Sequence, residues 1–379
     1  MLRQAQRWLV TPPVYCEIKN IKMSKTEYIA KNLGARRRLP WKYLVGSLLG
    51  IAVLVWLLSD QHVGKMWHEV RNADPLVLLA CLPLVLINML LRAVRWRALL
   101  DTSPKSTSYW SVFSALMIGY LANNVLPARA GDLVRIYSLS SQVKLSRSYI
   151  LATVFIERLL DMAGIILVLA LATITSPLPD WLRKGATVLA IATLISIIAL
   201  IILGIAGERI VWRLICPLAV RAPSLANRLQ VYTTEFILGI QNFRKPTVII
   251  VFFASTAGIW ILEIAIVLFV ANAFSLPLAG FDAAILMLFS LFSSLIPALP
   301  GQIGTFELAM VTGLQFLGHR GATVLPFAFM LHIVLLGGTA LIGSVCLVYS
   351  GLPLKFRMLS NTHELCNKTK TSGTKNTIK

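Results

Sequence analysis

Glu157, Arg158 and Asp161 stand together in TVFIERLLDMAGIILV, a stretch otherwise apolar enough to sit in a membrane. Glu157 and Asp161 are four residues apart and share a helical face, and Arg158 reaches Asp161 at i+3. Glu157 lies about 15 Å along its segment at ~1.5 Å per residue, near the middle of a bilayer. Each charge there costs roughly 2.5–3.5 kcal/mol on insertion scales, so the cluster must face protein or water. Two uses stand side by side: an ion-pair network that locks helices together, or a polar lining for a headgroup or a proton. Glu263, in GIWILEIAIVLF, is a carboxylate alone in its own apolar run. It is protonated, paired with Arg158 or another distant base, or titrates during transport.

Two breaks in the apolar pattern carry the remaining chemistry. The first is NNVLPARAGDLVR, Asn123 to Arg135, and the second is SLIPALPGQIGTFEL. Laid side by side they match Pro127 with Pro297 and Gly131 with Gly301. Non-helical backbone survives at membrane depth only where protein or a water-filled cavity satisfies its polar groups. A helix restarting after Gly131 points free N–H groups and a positive dipole end into such a cavity, with Arg129 beside it. That geometry suits an anion such as a lipid phosphate. In the plainer alternative Asp132 caps the helix and Arg135 snorkels to anionic lipid. At the second break Thr305 can cap a restarting helix, and Glu307 in its first turn suits the dipole. Gly131 and Gly301 are expected to let a headgroup approach the backbone closely.

The elements that must position these residues follow from composition. The chain has 379 residues, 57% of them hydrophobic and only 14% charged, where a soluble domain carries roughly a quarter. Mean hydropathy is +0.75. Apolar runs of about twenty residues recur, each long enough for a ~30 Å hydrocarbon core. Runs such as AGIILVLALATI do not alternate as the strands of a β-barrel do. The expected fold is therefore all-α, a polytopic membrane protein. Full spans are expected at 42–59, 75–93, 148–175, 185–206, 247–272 and 322–349, with the interrupted regions 108–142 and 282–318 between them.

If each interrupted region is a re-entrant hairpin, 29 of the 36 Lys and Arg fall inside and five outside. Lys and Arg concentrate in cytoplasmic loops, which places both termini in the cytoplasm and the protein in the cell membrane. Six spans and two hairpins then form an inverted repeat, with halves at about 42–175 and 185–349. Transporters with a midplane site are built this way. A basic arm, 1–41, precedes the membrane domain 42–350, and a basic tail, 351–379, is expected to be disordered. The segment 208–246 mixes Arg with apolar residues and is expected along the inner surface.

The net charge of +20 is assigned to the same cytoplasmic excess and not to nucleic acid. Cys16, Cys81, Cys216, Cys346 and Cys366 are scattered at no metal or redox spacing, and the five histidines form no ligand cluster, so no metal or cofactor is expected. There is no P-loop, no dinucleotide fingerprint and no Ser-His-Asp order. No soluble stretch is large enough for a catalytic domain, which favours a transporter over an enzyme.

With these motifs laid out, the chain resembles the lysylphosphatidylglycerol synthase transmembrane-region family over roughly residues 40–350. These flippase-like proteins also form the N-terminal half of the multiple peptide resistance factor. In the family's terms N-x-x-x-P-x-x-x-G-D/E falls on Asn123, Pro127, Gly131 and Asp132, and E-R-x-x-D on Glu157, Arg158 and Asp161. The P-x-x-x-G-x-x-G-x-x-E element falls on Pro297, Gly301, Gly304 and Glu307. The family's usual double glycine is here Gly301-Gln302. The resemblance implies movement of a lipid, anionic, aminoacylated or lipid-linked to sugar, across the cytoplasmic membrane. It does not imply lipid synthesis, because in the full-length factor a separate soluble domain transfers the aminoacyl group, and none is expected after Gly351. The competing readings are a membrane enzyme acting on polyprenyl- or dolichyl-phosphate sugars, or an accessory subunit of a lipid-modifying enzyme.

Overall fold

A computed structural model describes residues 52–350 except positions 54, 58, 60–62, 101–106, 127–129, 144, 176–179, 222 and 294–299. All of these belong to the compact unit Val45–Lys379. The arm 1–41, the tail 351–379 and most of the expected first span lie outside the described residues, as do Pro127, Arg129 and Pro297.

The described elements are all helices. They are α1 (Val63–Asn72), α2 (Pro75–Leu100), α3 (Tyr109–Val125), α4 (Gly131–Gln142), α5 (Arg147–Thr175) and α6 (Asp180–Arg221). There follow α7 (Pro223–Gln241), α8 (Pro246–Ala273), α9 (Gly280–Ser293), α10 (Thr305–Phe316) and α11 (Val324–Tyr349). Among the described residues four helices are long and apolar enough to cross a membrane: Pro75–Leu100, Arg183–Gly207, Pro246–Ala273 and Val324–Tyr349. They coincide with the runs expected at 75–93, 185–206, 247–272 and 322–349. The charged stretch sits in α5, a single helix of 29 residues. One boundary differs in a way that matters: α2 runs past 93 to Leu100 and carries Arg95 with it.

Each interrupted region is a pair of short helices folded back on each other. In the first, Gly119 of α3 lies against Gly131 and Arg135 of α4, and Ser114 meets Gln142 at the far end. In the second, Gly313 of α10 packs on Leu286 and Phe289 of α9. Helices α4 and α10 have 12 residues each. At ~1.5 Å per residue that is about 18 Å, too short for a ~30 Å core.

Helices α2 and α8 lie antiparallel along most of their length. The Asp74 N–H donates to the Ala273 carbonyl (3.1 Å) at one end. Asn88 Nδ2 donates to the Ile259 carbonyl (3.1 Å) in the middle, and Arg95 reaches Thr256 (3.4 Å) beyond it. Helix α11 touches both hairpins: Gly343 abuts Met117 and Leu121 of α3, and His332 meets Glu307 of α10. A Cβ on Gly343 would lie 2.7 Å from the Met117 carbonyl and 2.8 Å from Leu121 Cβ. Neither neighbour is a flexible side-chain end, so Gly343→Ala is expected to destabilise the protein by about 1–3 kcal/mol through overpacking. Thermal unfolding of the purified protein in detergent reads this directly, and an unchanged midpoint contradicts the close α3–α11 packing.

The segment 208–246 is carried by the end of α6 and by α7. Helix α6 is 42 residues long, about 63 Å at ~1.5 Å per residue, so it continues beyond a membrane's thickness. Helix α7 folds back along it, with Ile237 against Gly207 and Gln241 Nε2 donating to the Gly204 carbonyl (3.3 Å). Little of the Arg183–Gly207 stretch of α6 is buried. Ile191, Leu194, Ile195, Ile198, Ile201 and Ile205 lie exposed along it, a surface that water would not tolerate and lipid would.

Candidate functional site

The charges that apolar helices should not carry converge. Arg92 and Arg95 come from α2, Asp132 and Arg135 from α4, Glu157, Arg158 and Asp161 from α5, and Glu263 from α8. Four guanidiniums thus face four carboxylates. At the centre, Arg95 donates to Glu157 Oε1 (2.7 Å) and to Asp161 Oδ1 (2.7 Å). The other oxygen of Glu157 lies 2.9 Å from Arg135 Nη1. Arg95 and Glu157 are each 1% exposed, so their charges are balanced by these side chains and not by solvent. The guanidinium faces are covered as well, Arg95 over Phe252 (5.3 Å) and Arg135 over Trp96 (4.9 Å). Such contacts strengthen when desolvated. Trp96 is itself fixed by its indole N–H donating to Thr153 Oγ1 (3.2 Å).

The network grows more open towards one edge. Arg158 grips Asp132 with two donors (2.8 and 3.1 Å), and these side chains are 37% and 30% exposed. Arg158 was expected to reach Asp161, but that contact is a long 3.9 Å. The bidentate geometry of a guanidinium on one carboxylate makes Asp132 its main partner instead. Asp132 correspondingly spends its carboxylate on Arg158 and Arg135 (3.2 Å), and α4 begins without a side-chain cap. Glu263 has a partner that the sequence did not name. It accepts a close hydrogen bond from Arg92, which also donates to the Tyr120 hydroxyl (3.1 Å) and to Asn88 Oδ1 (2.8 Å).

At the first break the Gly131 N–H is already occupied, donating to Asn123 Oδ1 (2.8 Å). Gly131 has no open space above it either. A Cβ there would meet the Gly119 carbonyl at 2.0 Å, so this glycine serves the α3–α4 approach and not a ligand's. Arg129 and Pro127 lie outside the described residues.

At the second break Gly301, Gln302 and Gly304 all have positive φ (71°, 62° and 88°), which turns the chain sharply between α9 and α10. Gly304 caps α10, and Glu307 Oε2 accepts its N–H (2.7 Å). Thr305, the expected cap, is the first helical residue and donates to the Gln302 carbonyl (3.1 Å). The other Glu307 oxygen meets His332 Nδ1 (2.7 Å), and His332 Nε2 meets the Gly301 carbonyl (2.8 Å). Phe306 stacks on the imidazole at 4.4 Å.

The two breaks, far apart in sequence, are neighbours. Asn124, in the last turn of α3, donates to Thr339 Oγ1 (3.3 Å) and the Leu336 carbonyl (3.5 Å) of α11. Its own carbonyl lies 3.5 Å from where a Gly301 Cβ would stand. The fold therefore gathers Asp132, Arg135, Glu157, Arg158 and Asp161 into one network and places Gly301, Gly304 and Glu307 in a second cluster beside the first break. Arg92, Arg95, Tyr120 and His332 were missed. The signal for the arginines was their i, i+3 spacing in LLRAVRWRALL; for His332 it was a single imidazole inside PFAFMLHIVLL.

Long apolar helices with lipid-compatible faces and a charge-paired polar interior define a multi-pass α-helical membrane protein. The chain belongs to the family described as the lysylphosphatidylglycerol synthase TM region, which matches residues 43–343. It is similar to a UPF0104 membrane protein of Methanothermobacter thermautotrophicus, 25% identical over 285 residues, 72% of this chain and 84% of the relative. A second UPF0104 membrane protein, from Pyrococcus horikoshii, is 28% identical over 165 residues, 43% of this chain and 48% of the relative. A glycosyltransferase of Haloferax volcanii, AglD, is 26% identical over 136 residues, 34% of this chain and 22% of that protein. No solved structure matches.

Proposed function

We propose that this protein moves a lipid with an anionic or sugar-linked headgroup across the cytoplasmic membrane, and that it is a transporter with no catalytic step. The observation that carries the reading is the contact between two broken helix hairpins beside a neutral ion-pair network that opens at one edge. A permanently locked network would be closed throughout, whereas Arg158 and Asp132 are each about a third exposed. A phosphate presents the same paired oxygens to a guanidinium as a carboxylate does. A headgroup phosphate can therefore compete with Asp132 for Arg158, while Asp132 keeps its contact to Arg135 (3.2 Å). Arg135, which shares Asp132, is 2% exposed and lies inside the network and not at that edge.

In this reading both termini are cytoplasmic, six full spans surround two re-entrant hairpins, and the halves form an inverted repeat. Three features support the repeat. Both hairpins contain helices too short to cross. The alignment of Gly131 with Gly301 also brings Asn123 onto Ser293, and both bridge their break, Asn123 to Gly131 (2.8 Å) and Ser293 to Gln302 (3.3 Å). It further carries Asn88 to within one residue of Ile259, its partner at the antiparallel α2–α8 contact, as a two-fold relation between those helices requires.

Liposomes holding the purified protein and fluorescent lipids, read by a membrane-impermeant quencher, test the function. Arg158→Ala is expected to slow phosphatidylglycerol at least about tenfold, the equivalent of ~1.4 kcal/mol, and to affect phosphatidylcholine less. Equal slowing of both lipids removes Arg158 from headgroup recognition, and no movement of any lipid by the unmodified protein removes the function. A second reading, a membrane module accompanying an enzyme of lipid-linked sugars, is favoured by the likeness to AglD. A polyprenyl-phosphate sugar included among the test lipids separates a carrier of such sugars from a phospholipid transporter.

A further inference from the structure

We propose that Glu307 and His332 hold one transported or regulatory proton, and that its release unlocks the second break. Proton counting starts from Gly301. A carbonyl oxygen only accepts, so His332 Nε2, 2.8 Å from the Gly301 carbonyl, carries a hydrogen and donates it. The other ring nitrogen faces Glu307 Oε1 at 2.7 Å. That contact needs a hydrogen too, on Nδ1 as an imidazolium or on Oε1 as a carboxylic acid. Either way the pair contains one proton more than a neutral imidazole with a carboxylate. Glu307 Oε2 cannot relieve the shortage, because it already accepts the Gly304 N–H (2.7 Å).

Removing that proton leaves one hydrogen for two acceptors. A hydrogen bond to a carboxylate is stronger than one to a neutral carbonyl, so the remaining hydrogen moves to Nδ1 and stays with Glu307. The Nε2 lone pair then faces the Gly301 oxygen and the contact is lost. Gly301 sits in the positive-φ turn, at φ 71°, and His332 is its hydrogen-bonded link to α11, beside Leu336 of the same helix. Deprotonation therefore acts on the break itself. Among the described contacts Glu307 is the titratable group touching His332. Helix α3 meets α11 through Asn124, and α2 meets it through Val85 beside Gly338. Helix α1 reaches it through Glu69 at Thr323, near the other end. On α2 and α8, Arg92 and Glu263 are bonded to each other.

Linking this proton to lipid movement rests on the transport reading, since the second break then forms part of the path and a proton gradient becomes its energy source. Two variants push the device in opposite directions. Glu307→Gln donates its amide hydrogen to Nδ1 and keeps its oxygen on the Gly304 N–H. Every hydrogen bond is preserved and the exchangeable proton is gone, so the break stays shut at any pH. His332→Ala removes the link and leaves the break released at any pH.

The probe is Ile303→Cys, at a position 40% exposed within the break, in protein whose five native cysteines are exchanged for alanine. Reconstituted in phosphatidylglycerol–phosphatidylcholine liposomes, it is labelled with a maleimide. Rates are normalised to Trp67→Cys in the same background, which corrects for the general rise of thiolate with pH. Normalised labelling of the parent is expected to rise at least about tenfold from the lowest to the highest pH at which the protein stays folded. Glu307→Gln should be slow and His332→Ala fast at both values. The proposal is overturned if Glu307→Gln keeps the parent's pH response, or if the two variants shift labelling in the same direction. Lipid movement measured in the same liposomes separates the two ideas. Labelling that switches without lipid movement sustains the proton device and defeats the transport reading. Lipid movement indifferent to pH and to Glu307→Gln does the reverse.

Discussion

Arg95→Ala is expected to destabilise the protein by about 3–5 kcal/mol, the usual consequence of deleting one partner from a buried ion pair. Arg95 is the hub of the network, holding Glu157 and Asp161 at 2.7 Å each and lying over Phe252. Without it, Glu157 has only Arg135 left, and Asp161 keeps a long contact to Arg158 (3.9 Å). The loss comes mainly from the stranded carboxylates, so it should be partly recovered when Glu157→Gln is added. The double variant is expected to be more stable than the sum of the single changes by about 0.5–3 kcal/mol. Arg158→Ala sits at the open edge, where solvent screens the pair, and should cost about 1 kcal/mol or less. Thermal unfolding of the parent and the four variants in one detergent decides the matter. Strictly additive losses mean that the charges act separately and that the network is not a unit.

That ranking could not be drawn from the sequence, and the reason is physical. Glu157, Arg158 and Asp161 were legible because charges in an apolar run have no inexpensive alternative to burial against protein or water. Their partners were not, because they arrive from other helices: Glu157 meets Arg95 from α2 and Arg135 from α4, and Glu263 meets Arg92 across 171 residues. The expected span stops at 93, short of Arg95, because apolarity falls away there, whereas packing against α8 and the carboxylates of α5 carries the helix on to Leu100. Local periodicity ends where apolar residues thin out, but the helix ends where its buried contacts do.

The breaks show the same division. Proline and glycine announced where helices stop, and the short helices α3, α4, α9 and α10 lie where the punctuation places them. Their chemistry depends on side chains that punctuation does not reveal. The N–H of Gly131 looked free for an anion, yet Asn123, eight residues earlier, takes it. The carboxylate of Glu307 suited a helix N-terminus, and it does accept the Gly304 N–H, but its second oxygen belongs to His332. A lone histidine in an apolar helix is ordinarily a satisfied core residue; here the acceptor on each side of the ring is what sets it apart.

Gly131→Ala is expected to be the most damaging single-methyl change in the described chain. Its Cβ would stand 2.0 Å from the Gly119 carbonyl and 2.5 Å from Asn123 Oδ1, so it collides with the backbone of α3 and with the side chain that satisfies the Gly131 N–H. Neither can yield without separating α3 from α4, and separation strips Arg135 from its place between Trp96 and Glu157. The cost should reach about 3 kcal/mol, the upper end of ordinary overpacking, with loss of any lipid movement. Gly301→Ala meets a flexible side-chain end, Leu336 Cδ1 at 2.8 Å. Its main penalty is the left-handed backbone, roughly 1–2 kcal/mol for a residue bearing a Cβ. Gly337 in α11 has nothing within 4 Å of its Cβ position, so Gly337→Ala should be neutral or stabilising by up to about 1 kcal/mol from helix propensity alone. The three substitutions add the same methyl group, and unfolding midpoints should order them 131, 301, 337 from worst to best. If Gly131→Ala unfolds with Gly337→Ala, the two arms of the first hairpin do not touch, and the break must be held open by something other than its own packing.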